Sequence, residues 1–126
     1  MIPDQFEIIL YVADQEKSKT FYARLFKSPS LDVPGMTEFD LGANLKLGIM
    51  PETGIAKIIV PKTPHPNIGN GIPRCELYIR SENAFSLFTT ALNAGAVLVS
   101  EFSDRDWGHT VGYVMDFDGH IIAFAQ

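Results

Sequence analysis

The sequence predicts an α+β fold made of two βαβββ modules, and a repeated stretch is the main observation behind it. Residues 7–25 match residues 74–92 at a constant offset of 67. The aligned pairs are Leu10 with Leu77, Tyr11 with Tyr78, Val12 with Ile79, Phe21 with Phe88 and Leu25 with Leu92. Each copy has the pattern of a strand followed by an amphipathic helix, and β-forming segments follow each copy. Similarity at a fixed spacing indicates a duplicated structural unit.

The first module begins with a strand at 6–12 whose side chains alternate between two faces. Phe6, Ile8, Leu10 and Val12 are assigned to the core, and Glu7, Ile9 and Tyr11 to the opposite face. Asp14 is the predicted N-cap of the following helix, whose apolar residues recur at helical spacing. A short strand at 31–33 then precedes a hairpin of strands 37–41 and 45–50, joined by a Gly/Asn turn.

A connector rich in proline and glycine separates the modules. β-forming residues at 55–60 lead into PKTPHPNIGNGIP, which excludes regular structure. We assign modules to about residues 1–58 and 73–126, with the connector at 59–72 as a predicted flap over a binding site. No linker is long enough to separate independent domains, so a single domain is predicted over residues 1–126.

The second module repeats the order of the first. A strand at 74–79 precedes a helix that Ser81 is predicted to cap and Gly95 to end, with Phe85 and Phe88 among its buried residues. Three strands follow, at 96–100, 110–115 and 121–125.

The turn DFDG, at 116–119, joins the last two strands. Asp116 and Asp118 are interpreted as bonding to the backbone of this turn, and His120 as fixing it, rather than as metal ligands.

The composition is that of a compact globular protein with an excess of acids. Hydrophobic residues make up 46% and charged residues 20%, which suffices for an ordinary core. The net charge of −5 argues against nucleic acid and against an anionic membrane surface as partners. A cationic or neutral small ligand is compatible with it.

The single cysteine excludes an intrachain disulfide and suits a reducing compartment. We interpret Cys75 as a buried thiol inside a strand. The first residues, MIPDQFEIIL, lack the basic start and cleavage site of a signal peptide. No apolar run approaches the roughly 18 residues of a membrane span. We therefore predict a cytoplasmic protein.

Five segments, taken in order, resemble the vicinal oxygen chelate superfamily, which includes glyoxalase I, bleomycin resistance proteins, fosfomycin resistance enzymes and extradiol dioxygenases. The segments are LYVADQEKSKTFYARLF at 10–26, LGIMPETGI at 47–55, AGA at 94–96, DWG at 106–108 and DFDGHII at 116–122. Phe117 departs from the pattern, because the superfamily often has proline there. The resemblance implies modules whose sheets curl into a cup, usually completed by dimerisation, so a homodimer is expected.

The resemblance also implies four cup-facing positions that, in the metalloenzymes, carry His, Gln or Glu and hold a divalent ion. These positions fall on Glu7, Gly48, Arg74 and Ala123. Gly48 and Ala123 have no donor side chain and Arg74 is a cation, whereas a divalent ion needs several oxygen or nitrogen ligands. We therefore expect no metal cofactor, and we hypothesise that Glu7 pairs with Arg74.

Strand alternation and the resemblance together predict the ligand-binding residues. The set is Glu7, Ile9, Tyr11, Lys46, Gly48, Met50, Arg74, Glu76, Tyr78, Trp107, His109 and Ala123. Trp107 either stacks on a planar ligand or packs a strand entry, and His109 is either an acid/base at the rim or structural. His65 is interpreted as a solvated loop residue, and Phe39 and Phe102 as core or interface residues. No catalytic residue is assigned.

The leading functional hypothesis is a protein that binds or sequesters a small organic molecule, cationic or aromatic, without the usual metal. The alternative is a metal-dependent lactoylglutathione lyase-like isomerase or a dioxygenase, with ligands recruited from Glu7, Glu76, His109 or His65. A third hypothesis is a structural or partner-binding dimer whose cup is filled by its own side chains.

Overall fold

A computed structural model describes residues 3–126, which form two compact units that divide between Gly69 and Asn70. The division lies inside the predicted connector. Each unit contains one four-stranded sheet. Over residues 3–126, no helix is both long enough and apolar enough to cross a membrane.

Unit 1 has the predicted strand, helix, short strand and hairpin. Its elements are β1 (Phe6–Val12), α1 (Gln15–Phe26), β2 (Leu31–Val33), β3 (Met36–Gly42), β4 (Leu45–Pro51), α2 (Glu52–Ile59) and a 3₁₀ turn at Pro66–Gly69. The sheet order is β1-β4-β3-β2, with β1 parallel to β4 and the other pairs antiparallel. Helix α1 starts as predicted, because Asp14 Oδ1 accepts a hydrogen bond from Lys17 N at 3.0 Å.

The core of unit 1 lies between α1 and the sheet. Its fully or almost fully buried residues are Leu10, Val12, Phe21, Tyr22, Phe39, Leu47 and Ile49. The rings of Phe26 and Phe39 lie 6.2 Å apart, centroid to centroid, so helix and sheet are joined by aromatic packing. The assignment of Phe39 to the core is confirmed.

Three predictions for unit 1 are wrong. The connector was predicted to exclude regular structure, but Pro66–Gly69 form a short 3₁₀ helix. The β-forming segment 55–60 belongs mainly to helix α2, because Ile55, Ala56 and Ile59 share a helical face and α2 packs against β1 and β4. Tertiary packing thus overrides the β-propensity of isoleucine. Phe6, assigned to the core, is exposed, since it is the first residue of an edge strand.

Unit 2 repeats the topology of unit 1. Its elements are β5 (Glu76–Arg80), α3 (Ala84–Asn93), β6 (Val97–Asp104), β7 (Thr110–Met115) and β8 (Ile121–Ala125). The sheet order is β5-β8-β7-β6, and β5 runs parallel to β8 as β1 does to β4. The two βαβββ modules predicted from the repeat are therefore confirmed. Gly95 ends α3 with a φ of +110°, as predicted.

The start of β5 is later than predicted. The strand begins at Glu76 because its partner β8 begins at Ile121, which lies opposite Glu76. Arg74 and Cys75 therefore precede the strand and are exposed. The prediction of Cys75 as a buried strand residue is wrong. Strand β6, in contrast, extends beyond the predicted 96–100, since its pairing with β7 continues to Asp104 across two irregularities.

The start of α3 also differs from the prediction. The N-cap is Asn83, while Ser81 Oγ accepts a hydrogen bond from Asn83 N and so caps the turn before the helix. Burial in α3 recurs at Ala84, Phe88 and Ala91. Phe85 is 55% exposed, so its predicted burial is wrong.

Candidate functional site

The predicted ligand-binding residues of unit 1 lie together on the sheet face that α1 does not cover. Facing residues of β1 and β4 are Glu7 with Lys46, Ile9 with Gly48 and Tyr11 with Met50. Residues of each strand that alternate with these, such as Leu10 and Leu47, are buried in the core. The face that carries the predicted residues is called the open face of unit 1.

Gly48 does not leave an empty space on this face. A Cβ atom placed on Gly48 would lie 2.5 Å from Glu7 Oε2, 3.1 Å from Ile9 Cγ1 and 3.3 Å from Met36 Sδ. The Glu7 carboxylate therefore lies over the backbone of Gly48, and the absence of a side chain there allows this close approach.

A second carboxylate, which the sequence analysis missed, faces Glu7. Glu38 lies directly opposite Gly48 in the β3–β4 pair. Burial raises the pKa of Glu7, the hydrogen-bonding contact with Glu38 and the charge of Glu38 raise it further, and the Lys46 charge lowers it. Glu7 Oε2 is buried and has no hydrogen-bond donor among residues 3–126. When both groups are ionised, two acceptors face each other, so a proton on one of them would supply the missing hydrogen bond.

Lys46 is the cation of this cluster. Its Nζ lies 3.3 Å from Asp40 Oδ1 and 3.7 Å from Glu38 Oε1. The hydrogen bond to Asp40 is the main cause of the raised pKa of Lys46, with burial opposing it. Strand alternation in β3 is the signal that could have identified Glu38 and Asp40, since both share the face of Gly48 and Lys46.

Glu7→Gln is expected to raise the free energy of unfolding by about 1 kcal/mol at neutral pH, because the amide N–H supplies the donor that the two carboxylates lack. The pKa of Glu7 is higher in the folded protein than its ordinary 4.5, so the wild type loses stability as the pH rises through the folded value. The gain should therefore vanish below about pH 4, where the wild-type carboxyl is protonated.

Urea unfolding of both proteins at several pH values measures this effect. The exposed Glu82 provides the control, as Glu82→Gln should change stability by less than about 0.5 kcal/mol. A gain that is independent of pH would contradict the carboxylate contact.

In unit 2, three predicted residues form one hydrogen-bonded group. Trp107 Nε1 donates to the Tyr78 hydroxyl oxygen at 2.9 Å, and that oxygen lies 2.8 Å from His109 Nδ1. Tyr78 projects from β5, whereas Trp107 and His109 lie in the connection between β6 and β7. Trp107 is 53% exposed and Tyr78 38%. This group, the aromatic triad, presents ring surfaces to solvent while its inward polar atoms are bonded.

Tyr113 lies on the same sheet face as Tyr78 of the triad, and Arg105 packs on the Tyr113 ring. Both residues were missed by the sequence analysis. Arg105 Nη2 donates to the carbonyl oxygens of Glu101 at 2.7 Å and Val111 at 2.8 Å, and its Cζ lies 5.2 Å from the centre of the Tyr113 ring. Burial raises the pKa of Tyr113, and the Glu76 charge adds to this effect. Tyr78 and Tyr113 lie opposite Ala123 from its two sides, so Tyr78 and Glu76 share a sheet face with Tyr113.

Ala123 lies beneath this face rather than on its surface. It is opposite Tyr78 in β8 and is fully buried in a cluster with Val111 and Ala125, against which Tyr113 packs. A ligand on unit 2 would therefore contact the tyrosine rings and the triad before Ala123.

In the structure, the first strands of the two units align at an offset two residues larger than the repeat in the sequence indicates. Gly48 is opposite Ile9, and Ala123 is opposite Tyr78, an offset of 69 rather than 67. Helix α3 is correspondingly two residues shorter than α1, with 10 residues against 12. Glu76 therefore has the same place relative to Ala123 that Glu7 has relative to Gly48. The cup-facing position that the resemblance assigned to Arg74 falls on Glu76 instead. The pairing of Glu7 with Arg74 stays a prediction.

The turn before β8 confirms the structural interpretation of its polar residues. Asp116 Oδ1 accepts hydrogen bonds from Asp118 N at 2.9 Å and His120 N at 2.8 Å, and Asp116 Oδ2 lies 2.8 Å from His120 Nδ1. Although donor atoms of all three residues lie within 4.8 Å of one another, those of Asp116 are used to hold the turn. His65 has a similar local role, since its Nδ1 accepts from Asn67 N at 3.2 Å.

An open depression of about 520 Å³ beside α1 is less suited to ligand binding. Its lining includes Lys19, which is already paired with Glu16 at 2.8 Å and with Asp32 at 2.9 Å. It contains no aromatic side chain among its lining residues, which are Lys19, Thr20, Ala23, Arg24, Pro29 and Asp32. The open face of unit 1 and the aromatic triad of unit 2 are therefore better candidate sites.

Known proteins resemble the chain over almost its whole length. Residues 6–126 match the family described as a glyoxalase-like domain. An uncharacterized protein of Mycobacterium bovis is 29% identical over 121 residues, which cover 93% of this chain and 79% of the relative. Two solved structures share the fold. A glyoxalase-related enzyme from Fulvimarina pelagi has a TM-score of 0.82 and 21% identity, covering 98% of this chain and 88% of the other. A glyoxalase/bleomycin resistance protein/dioxygenase family enzyme from Burkholderia phytofirmans has a TM-score of 0.76 and 15% identity, covering 94% of each chain.

Proposed function

The chain belongs to the glyoxalase-like domain family, within the vicinal oxygen chelate superfamily, and we propose that it binds a small aromatic molecule, neutral or cationic, without the metal centre of the superfamily's enzymes. The observation that carries the proposal is the aromatic triad of Trp107, Tyr78 and His109. Ligand sites are commonly apolar and aromatic with a few fixed polar groups, and the triad has both properties.

The donor chemistry at the superfamily's metal positions supports binding without a metal. Neither Gly48 nor Ala123 has a side-chain donor. Glu7 occupies the space that a side chain at position 48 would need. Only Glu7 and Glu76, two of the four positions, carry a donor side chain, so these residues fall short of the usual ligand set. Glu76 adds a carboxylate to the face of the triad, which would favour a cationic ligand.

Binding of a planar probe tests the proposal. Isoquinoline should bind the wild-type protein saturably in equilibrium dialysis at about pH 8, where the probe is neutral. Trp107→Ala should weaken binding about fivefold or more, because a stacked ring contributes roughly 1 to 3 kcal/mol. Phe85→Ala is the matched control, since Phe85 is also an exposed ring but lies on α3. Equal binding by the wild type and Trp107→Ala would refute a site at the triad.

One observation favours a second candidate, a metal-dependent isomerase or dioxygenase with non-standard ligands. Glu7 Oε2 is buried without a donor, and the Glu38 carboxylate adjoins it. A divalent cation bound between two carboxylates would satisfy both groups.

Metal analysis separates the two candidates. Protein purified without chelators or metal-affinity resin should contain less than about 0.1 equivalent of any divalent ion, because Gly48 and Ala123 supply no donors. A stoichiometric ion lost on Glu7→Gln would instead establish the metal-dependent alternative.

We further propose a cytoplasmic homodimer. The single cysteine supports the compartment, and the superfamily resemblance supports the dimer.

A further inference from the structure

Two histidines of unit 2 are held through the same ring nitrogen by partners of different character. His120 Nδ1 lies 2.8 Å from the carboxylate oxygen Asp116 Oδ2. An ionised carboxylate only accepts hydrogen bonds, so His120 carries a proton on Nδ1. His109 Nδ1 lies 2.8 Å from the Tyr78 hydroxyl, which can either donate or accept. The state of His109 therefore depends on the other bond of that hydroxyl.

Trp107 favours one direction for this hydrogen bond. The indole N–H is a donor only, and it donates to the Tyr78 oxygen at 2.9 Å. The remaining hydroxyl proton of Tyr78 has His109 Nδ1 as its acceptor, which leaves the neutral imidazole with its proton on Nε2. In the opposite tautomer, the Tyr78 oxygen would accept two hydrogen bonds and its own proton would have no acceptor among residues 3–126.

The second ring nitrogen of His109, Nε2, is not used in the triad. Within residues 3–126, no group hydrogen-bonds to His109 Nε2. The imidazole is half-buried, and its centroid lies 6.0 Å from that of the Tyr78 ring. This nitrogen is therefore the one polar atom of the His109 ring left for a hydrogen bond to a molecule bound at the triad.

We propose that Trp107 and Tyr78 hold His109 in the Nε2–H tautomer, and that His109 donates this hydrogen bond to an acceptor on the bound ligand. The ligand class is thereby narrowed to planar aromatic compounds that carry a ring nitrogen or a carbonyl oxygen. The donor role rests on the proposed binding function, whereas the tautomer rests on the triad alone. Trp107 and Tyr78 are positioning residues for His109 in addition to offering ring surface.

Long-range ¹H–¹⁵N NMR of the full ¹⁵N-labelled chain at about pH 8 tests the tautomer directly. The chain has three histidines, so the signals are few, and His65→Gln and His109→Gln assign them. His109 should show a protonated Nε2 and a bare Nδ1, and His120 the reverse pattern as an internal reference. Tyr78→Phe should convert His109 to a mixture of tautomers. A protonated Nδ1 on neutral His109 in the wild type would overturn the proposal.

A pair of probes tests the donor role. Isoquinoline carries an acceptor nitrogen, whereas indole is of similar size and carries only a donor. Binding of unlabelled probes is followed through the single indole N–H signal of Trp107, the only tryptophan. Isoquinoline should bind about five- to tenfold more tightly than indole, which is the value of one hydrogen bond. His109→Leu should reduce this preference to less than about twofold, and His65→Leu should leave it unchanged.

The outcomes separate this inference from the function on which it rests. Equal affinity of the wild type for both probes overturns the donor role while leaving aromatic binding in place. If neither probe shifts the Trp107 signal, the proposed function and the donor role fail together.

Discussion

Phe88→Ala is expected to lower the free energy of unfolding by about 3 to 5 kcal/mol, the usual cost of deleting a buried phenylalanine ring. Phe88 is 3% exposed and lies against β7 at Gly112. A Cβ atom on Gly112 would lie 2.7 Å from two carbons of the ring, so the ring fills the space left by the glycine. The alanine side chain cannot fill it, and a cavity remains between helix and sheet.

Phe85→Ala is the matched control for this prediction. Phe85 is on the same helix and contacts Phe88 and Phe102, with ring centroids 6.3 Å and 5.3 Å away, but it is 55% exposed. Its loss should cost about 1 kcal/mol, mainly the aromatic pair. Urea unfolding followed by circular dichroism measures both variants. Similar losses for the two would contradict the assignment of Phe88 to the core.

Gly119→Ala is expected to cost about 3 kcal/mol, from two effects that add. Gly119 has a φ of +91°, a region that costs a residue with a Cβ roughly 1 to 2 kcal/mol. The new Cβ would also lie 2.5 Å from Gly71 Cα and from Gly71 O. Because these are backbone atoms, the clash cannot be relieved by rotating a side chain.

Gly108→Ala separates the two effects. Gly108 has a φ of +95°, but nothing lies within 4 Å of the Cβ position. It should therefore lose only the conformational part, about 1 to 2 kcal/mol. Thermal unfolding of the two variants in parallel measures the difference. Equal losses would show that the chain near Gly71 moves aside at little cost.

The parts of the fold that local chemistry determines could be predicted from the sequence. Asp14 caps α1 because the cap requires only residues three apart, and Gly95 ends α3 because of its own φ. Helix α2 was missed because isoleucines at 55, 58 and 59 favour strands, and only packing against β1 and β4 shows that they form a helix. Likewise, β5 starts at Glu76 because its parallel partner β8 begins opposite that residue, which no local pattern near Arg74 reveals.

The sequence predicts which sheet face each candidate residue lies on, but it does not predict which side chains contact one another. Alternation placed Glu7, Lys46 and Tyr78 on the correct sheet faces. The hydrogen bonds of the aromatic triad join residues 29 and 31 positions apart, and the bend of the β6–β7 connection that brings them together has no sequence signal of its own. Glu38, in contrast, is predictable in principle, since the register of the hairpin places it opposite Gly48.

The contact between Glu7 and Gly48 has a consequence for how this chain can diverge. Any residue larger than glycine at position 48 needs the space that the Glu7 carboxylate fills, so the two positions are epistatic. A mutational path towards a coordinating side chain at 48 must first, or simultaneously, change the rotamer or identity of residue 7. Laboratory evolution for metal-dependent activity should accordingly recover substitutions at position 48 that either turn the Glu7 side chain to another rotamer or occur together with a substitution at residue 7.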